Sequence, residues 1–169
     1  MWLDEFSSLV FDFDGTLVDS NNIKREMFFE VSKHLLGSAK ELTIIFEEKL
    51  NWTRKEIFQE LANSLCPAAE RVQVAQQLMI SYGEGCFSKI SAAPEIHGAH
   101  DLLEKLSAEN INVFISSATP IEDLTSLVKA RNLGCFIKSS FGAPTTKEQH
   151  LREIASASTC PRDQILMVG

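Results

Sequence analysis

Two aspartates one residue apart, Asp12 and Asp14, close a short apolar run and are followed at once by Gly15-Thr16-Leu17-Val18-Asp19-Ser20. If the run is a strand, its side chains alternate faces, so both carboxylates point the same way. They do so where the chain leaves the sheet at its carboxyl end, the edge at which open α/β sheets take ligands. Two carboxylates in one small crevice repel unless a cation stands between them, and the hard ion Mg2+ prefers oxygen donors. A bare Asp-x-Asp is ordinarily a solvated acidic pair. The apolar residues ahead of this one and the Gly-Thr-Leu-Val-Asp-Ser behind it weigh toward chemistry.

Further along, Val113-Phe114-Ile115-Ser116-Ser117-Ala118-Thr119-Pro120-Ile121-Glu122 reads as a strand running into a helix, with Thr119 as N-cap, Pro120 as first helical residue and Glu122 closing a capping box. A hydroxyl at such a strand end lies beside backbone N–H groups and suits a phosphoryl oxygen; Ser116 and Ser117 both qualify, and either also serves simply to solvate a loop. Phe141 to Glu148 contains another helix start, with Thr145 and Glu148 at capping-box spacing and Lys147 in the first turn. A cation there opposes the helix dipole by about 0.3–1 kcal/mol, a penalty better tolerated if the ammonium faces a carboxylate or phosphate. Asn51-Trp52-Thr53-Arg54-Lys55-Glu56 offers a third capping box, Thr53 with Glu56, and puts Arg54 in its first turn.

The elements that must position these residues follow from hydrophobic period. Ser8 to Phe13 is short, rich in Phe and Val and stopped by Gly15, which suits a strand buried on both faces. From Asp19 to Ser91 the spacing is helical: Met27, Phe28, Val31, Leu35; Ile57, Phe58, Leu61, Leu65; Val72, Ala75, Met79, Tyr82. From Ala92 helix and strand alternate, with strands expected at Asn112–Ser116, Cys135–Ile137 and Gln164–Val168. The pattern predicts an α/β fold: a parallel sheet with right-handed crossovers, formed by residues 1–18 and 92–169, and a helical bundle of residues 19–91 inserted after the first strand.

Composition narrows the partners. The 169 residues are 44% hydrophobic and 23% charged, with 16 Lys plus Arg against 23 Asp plus Glu and a net charge of −7. That excludes disordered and disulfide-scaffold classes, and argues against a phosphate-neutralising face for nucleic acid. No apolar run reaches the roughly 20 residues of a membrane helix. The acidic start lacks the basic flank of a secretory signal, so a cytoplasmic protein is expected. Cys66, Cys86, Cys135 and Cys160 form no metal-ligand pattern and read as free thiols.

With Phe11-Asp12-Phe13-Asp14-Gly15-Thr16-Leu17-Val18-Asp19-Ser20 in place, the sequence resembles the haloacid dehalogenase superfamily, whose first motif has the form hhhDxDGTLxDS. The resemblance spans essentially the whole chain and implies a Rossmann-like core with a helical C1 cap. It casts Asp12 as nucleophile and Asp14 as general acid/base, and this second acid points to the phosphatase and phosphomutase branch. It favours Ser117 over Ser116 for the second motif and implies Lys147 for the third, Mg2+ on Asp12 and Asp14, and Gly15, Thr16 and Ala118 around the phosphoryl group. Arg54 is similar to a substrate-contacting residue of β-phosphoglucomutase-like caps, and Lys24 to a cap-hinge residue, though a solvated helix-face lysine is the simpler reading of Lys24. Trp52 serves equally as a substrate wall or as core, and His34, His97, His100 and His150 are assigned no role.

The family ordinarily continues past a strand like Asp163-Gln164-Ile165-Leu166-Met167-Val168-Gly169 into acidic residues that complete the Mg2+ shell. The expectation here is either a fragment or a natively short, impaired chain, with an open sheet edge through which self-association is possible. The function expected is a Mg2+-dependent phosphatase acting on a small phosphorylated metabolite through an aspartyl-phosphate. The alternatives are a sugar-phosphate mutase and a non-catalytic binding module.

Overall fold

The computed structural model describes residues 5–49, 52–157 and 161–169. The chain divides into two compact units, Met1–Asn21 with Ile90–Gly169, and Asn22–Lys89.

The first unit opens with β1 (Ser8–Phe11), every residue of which is buried. That is why, after Ser8, its sequence is the unbroken apolar run Leu9-Val10-Phe11 rather than an alternating one. The second unit carries α1 (Asn21–Ser32), α2 (Ser38–Glu48), α3 (Arg54–Leu65) and most of α4 (Arg71–Ala92). Its core is aromatic: the Phe28 ring lies 5.0 Å from Phe58 and 4.5 Å from Tyr82, centroid to centroid. The α4 stripe differs from the expected one. Ala75, Leu78, Tyr82 and Cys86 are buried, whereas Val72 is 71% exposed; steps of three and four residues carry Leu78 inward in place of Met79. Thr53 caps α3 as its spacing predicts, accepting from the Glu56 N–H while the Glu56 carboxylate accepts from the Thr53 N–H. That backbone bond, with one from the Thr53 hydroxyl, holds the Glu56 carboxyl below its ordinary pKa.

Back in the first unit come α5 (Ala99–Ala108), β2 (Asn112–Pro120), α6 (Ile121–Ala130), β3 (Ser139–Ala143), α7 (Lys147–Ala157) and β4 (Ile165–Val168). All strand pairs are parallel, in the order β3-β2-β1-β4, giving the α/β class expected from the alternation of periods. On one side of the sheet Val10, Phe114 and Ile154 form a core against which Phe141, Leu151, Ile165 and Met167 pack.

The strand expected at Cys135–Ile137 is not there. Leu133–Cys135 is a 3-10 turn behind Asn132, whose φ of 57° is left-handed, and the strand begins at Ser139. β3 is an edge strand whose first residues are solvated, so Ser139-Ser140 carries little of the hydrophobic pattern by which a strand is recognised. No helix among the described residues is long and apolar enough to cross a membrane.

Candidate active site

Asp12 and Asp14 follow β1 directly. The Asp12 N–H donates to the Val168 carbonyl at 2.9 Å, which extends the ladder with β4 by one bond. The chain then turns: the Gly15 N–H donates to the Val18 carbonyl at 2.7 Å and the Leu17 N–H to the Phe13 carbonyl at 3.0 Å. Gly15 makes this turn at a φ of +75°, a conformation most side chains resist. On the other side Gly169 passes so near that a Cβ on it would lie 2.8 Å from the Asp12 Cβ and 3.5 Å from the Thr16 hydroxyl oxygen.

The two carboxylates meet different surroundings. Asp12 accepts from the Phe13 N–H at 2.7 Å through Oδ1, and its Oδ2 lies 2.5 Å from Lys147 Nζ. Asp14 is held by hydroxyls: Ser20 Oγ donates to Oδ1 at 2.7 Å, while Thr119 Oγ1 and Ser117 Oγ donate to Oδ2 at 2.9 and 3.3 Å. Ser117 Oγ in turn accepts from the Thr119 N–H at 3.0 Å.

What delivers Ser117 and Thr119 is an irregularity in the sheet. Ser116 pairs with Phe141 and Pro120 with Ala143, so four steps along β2 oppose two along β3. A bulge of this kind re-aims side chains at a strand end, and here Ser117 and Thr119, two residues apart, both reach Asp14. Thr119 is therefore not the N-cap expected from its spacing. β2 runs on to Pro120, which precedes α6 without a side-chain cap, and the Thr119 hydroxyl bonds a carboxylate, a stronger acceptor than most.

Gly142 makes room for the bulge. A Cβ there would meet the Thr119 carbonyl oxygen at 2.5 Å and Ile121 N and Cα at 2.8 Å. These are backbone atoms with no rotamer to change. Gly142→Ala is expected to lower stability by about 1–3 kcal/mol, the usual cost of overpacking, read as a lower urea midpoint at unchanged m-value.

Lys147 is the first residue of α7, and the cap sits one residue later than its sequence suggests. Thr146 Oγ1 accepts from the Gln149 N–H at 3.3 Å, and Gln149 Oε1 accepts from the Thr146 N–H at 2.9 Å. Gln replaces the expected Glu in the box, and Glu148 instead pairs with Arg152. The dipole penalty on Lys147 is offset by a carboxylate, that of Asp12, although the spacing alone is equally consistent with an isolated surface lysine.

Asp12, Asp14, Ser117 and Lys147 are thus linked at the carboxyl ends of β1 and β2, with Gly15 and Thr16 in the adjoining turn and Ala118 exposed between Ser117 and Thr119. Arg54 and Lys24 belong to the other unit, on α3 and α1. There Trp52 is half-buried with Lys49 Nζ 5.3 Å from its ring, while Asn51 lies outside the described residues. Sequence reasoning gave no part to Ser20, or to Thr119 beyond the cap. For Thr119 the signal was present in its spacing of two from Ser117, the strand period. It also passed over His150, which is fully buried. Cys66 and Cys86 are buried and Cys135 is exposed, none of them in a disulfide among the described residues.

Comparison with known proteins bears on the fold and on the family. In fold, the chain is similar to a predicted phosphoglycolate phosphatase from Haemophilus somnus 129pt, with a TM-score of 0.74 at 18% identity over 98% of this chain and 77% of that one. It is likewise similar to a protein of Thermotoga maritima proposed to be a β-phosphoglucomutase, with a TM-score of 0.71 at 13% identity over 96% and 75%. A third likeness is to CbbY of Rhodobacter sphaeroides, determined with xylulose-(1,5)bisphosphate, with a TM-score of 0.69 at 15% identity over 96% and 76%. No curated protein matches the chain in sequence. In family, the match runs over residues 9–169, from within β1 through both carboxylates and Lys147 to Gly169. The matched span includes the Asp-x-Asp that leaves β1 together with the lysine that reaches the first carboxylate and the hydroxyls that reach the second, and the chain belongs to the haloacid dehalogenase-like hydrolases.

Proposed function

We propose that this chain is a phosphatase that hydrolyses a small phosphorylated metabolite through an aspartyl-phosphate on Asp12. The observation that carries the reading is the unequal treatment of two neighbouring carboxylates. One faces an ammonium and the other a set of hydroxyls, and paired acids placed in different environments take different roles. The ligand of the Rhodobacter sphaeroides protein, a sugar bisphosphate, belongs to the substrate class proposed.

In this mechanism an Asp12 carboxylate oxygen attacks phosphorus, the new O–P bond forming as the bond to the leaving oxygen breaks. Asp14 gives that oxygen its proton. In the second half Asp14 takes a proton from water, whose oxygen attacks phosphorus and frees phosphate and the Asp12 carboxylate. Lys147 and Ser117 stabilise charge on the equatorial oxygens. Gly15, Thr16 and Ala118 adjoin the phosphoryl group, and Arg54 and Lys24 in the helical unit, proposed to act as a cap, select the substrate.

Mg2+, which the family implies, suits the donor chemistry in a restricted form. Asp12 and Asp14 bring hard oxygen donors to one turn, and among the described residues no group of three or more His, Cys, Asp or Glu stands ready for a metal. A Mg2+ site made from one or two carboxylates, water and substrate phosphate meets that limit. The Asp12 carboxylate and the Asp14 backbone carbonyl would hold the ion. Bound there, it supplies neutralisation of the phosphoryl charge.

The test is release of inorganic phosphate from an aryl phosphate in Mg2+, with acid-quenched protein probed for a hydroxylamine-labile phosphoryl label on Asp12. The absence of both released phosphate and label would end the proposal. Label transfer to a sugar phosphate, with isomer exchange in place of phosphate release, would redirect it to a mutase.

A further inference from the structure

His150 has no part in the mechanism above, yet it is fully buried, and among the described residues no Asp, Glu, Lys or Arg shares the buried set with it. Its apolar neighbours give it contact without direction: the Phe141 ring lies 5.6 Å away, and Ile154 and Leu151 follow on α7. Direction comes from its two nitrogens. Nδ1 is 2.8 Å from Ser116 Oγ, and Nε2 is 2.7 Å from Thr145 Oγ1 and 3.3 Å from the Gly142 carbonyl oxygen.

The protons can be assigned from this network. The Thr145 hydroxyl donates its one hydrogen to the Gly142 carbonyl at 2.9 Å. It therefore accepts from Nε2–H, and in the neutral tautomer that this defines Nδ1 accepts from the Ser116 hydroxyl. Each bond reaches a different segment: β2 at Ser116, β3 at Gly142, and the approach to α7 at Thr145. Ser116 precedes Ser117, which faces Asp14 from the opposite side of the strand, and His150 follows Lys147 by one helical turn.

We propose that His150 is a positioning residue that fixes α7 against the bulged end of β2 and so aims Lys147 at Asp12. This rests on the phosphatase reading for its kinetic consequence, although not for its geometry. Lys147 is itself 43% exposed and begins its helix, so its own neighbours define its direction loosely. The imidazole one turn behind it supplies a buried reference point. An apolar side chain of similar volume would fill the space and leave α7 free to rotate or slide against the sheet.

The test is a double-mutant cycle. Thr145→Val removes the nearer of the two Nε2 partners at nearly constant shape, and His150→Leu removes all three bonds. In the otherwise native chain each is expected to lower kcat on an aryl phosphate about tenfold with KM changed less than about twofold, the signature of a lost transition-state contact. In a Lys147→Met background the same substitutions are expected to cost less than about twofold, because the group they aim is gone. His150→Gln, which keeps an amide donor near the Nε2 position, should recover part of the loss. Equal losses in both backgrounds would show a merely structural role and overturn the proposal, as would an unchanged kcat.

Reductive methylation of Lys147, followed by mass spectrometry against Lys138 as internal standard, gives a readout independent of turnover. Thr145→Val should raise the Lys147 rate severalfold, and an unchanged rate would refute the positioning role. A native chain with no phosphatase activity would sink the functional reading while leaving this measurement to decide the geometric one.

Discussion

Asp12→Asn is expected to abolish phosphate release, by on the order of 10^4-fold or more, while leaving the chain folded. Asparagine has the shape of aspartate and keeps a carbonyl oxygen to accept the Phe13 N–H now held at 2.7 Å. What it lacks is the second anionic oxygen, the one Lys147 reaches, and with it a nucleophile able to form an acyl phosphate. The amide places a donor against the ammonium, but Lys147 is partly solvated and can turn to water. An ion pair exposed to this degree contributes only about 0–1 kcal/mol, so the urea midpoint should move little. Phosphate release and the unfolding transition, measured on the same preparation, separate the two effects. Turnover within tenfold of the native chain, at a matching midpoint, would remove Asp12 from the nucleophile role.

How far the sequence led depended on whether a residue's local pattern and its tertiary partner agreed. For Asp12 and Asp14 they do: strand alternation and the Gly15 turn are local, and the crevice follows from the parallel sheet. Lys147 was legible chiefly through the resemblance, since a cation at a helix's positive end is an anomaly that a carboxylate or phosphate relieves but that does not by itself demand one. Thr119 and Thr145 misled because each stands at capping-box spacing yet gives its hydroxyl elsewhere, Thr119 to the distant Asp14 carboxylate and Thr145 to the Gly142 carbonyl three residues back. The bulge that frees Thr119 rests on Gly142, which belongs to another strand, and no window along the chain joins the two. His150 was invisible for the same reason. Its partners at 116, 142 and 145 come together only once β2, β3 and α7 are packed, and a lone histidine in a polar helix start has no periodic signature. The helical unit was readable in outline from its stripes, but the Val72 position shows that a stripe fixes a helix's existence better than its rotation.

Asp14→Asn tests the other half of the site, and its expected effect depends on the substrate. The hydroxyls around Asp14 adapt to an amide. Whichever side carries the carbonyl keeps its donors, and a hydroxyl facing the new NH2 turns to accept; Ser20, Ser117 and Thr119 all have oxygens able to do so. The amide is therefore held close to where the carboxyl was, and proton transfer is the property removed. General acid catalysis contributes about 10^2- to 10^4-fold when the leaving oxygen is strongly basic, so single-turnover cleavage of an alkyl phosphate should fall by that much. A nitrophenolate leaves without a proton, and its release in the first turnover should slow less than about tenfold. The second step needs Asp14 to take a proton from water, which the amide cannot do. An aryl phosphate should therefore give one equivalent of phenolate per chain, followed by slow steady-state turnover as phosphorylated Asp12 accumulates. Equal falls in first-turnover rate for both leaving groups, with no burst, would assign Asp14 a purely electrostatic effect and take the proton transfer elsewhere.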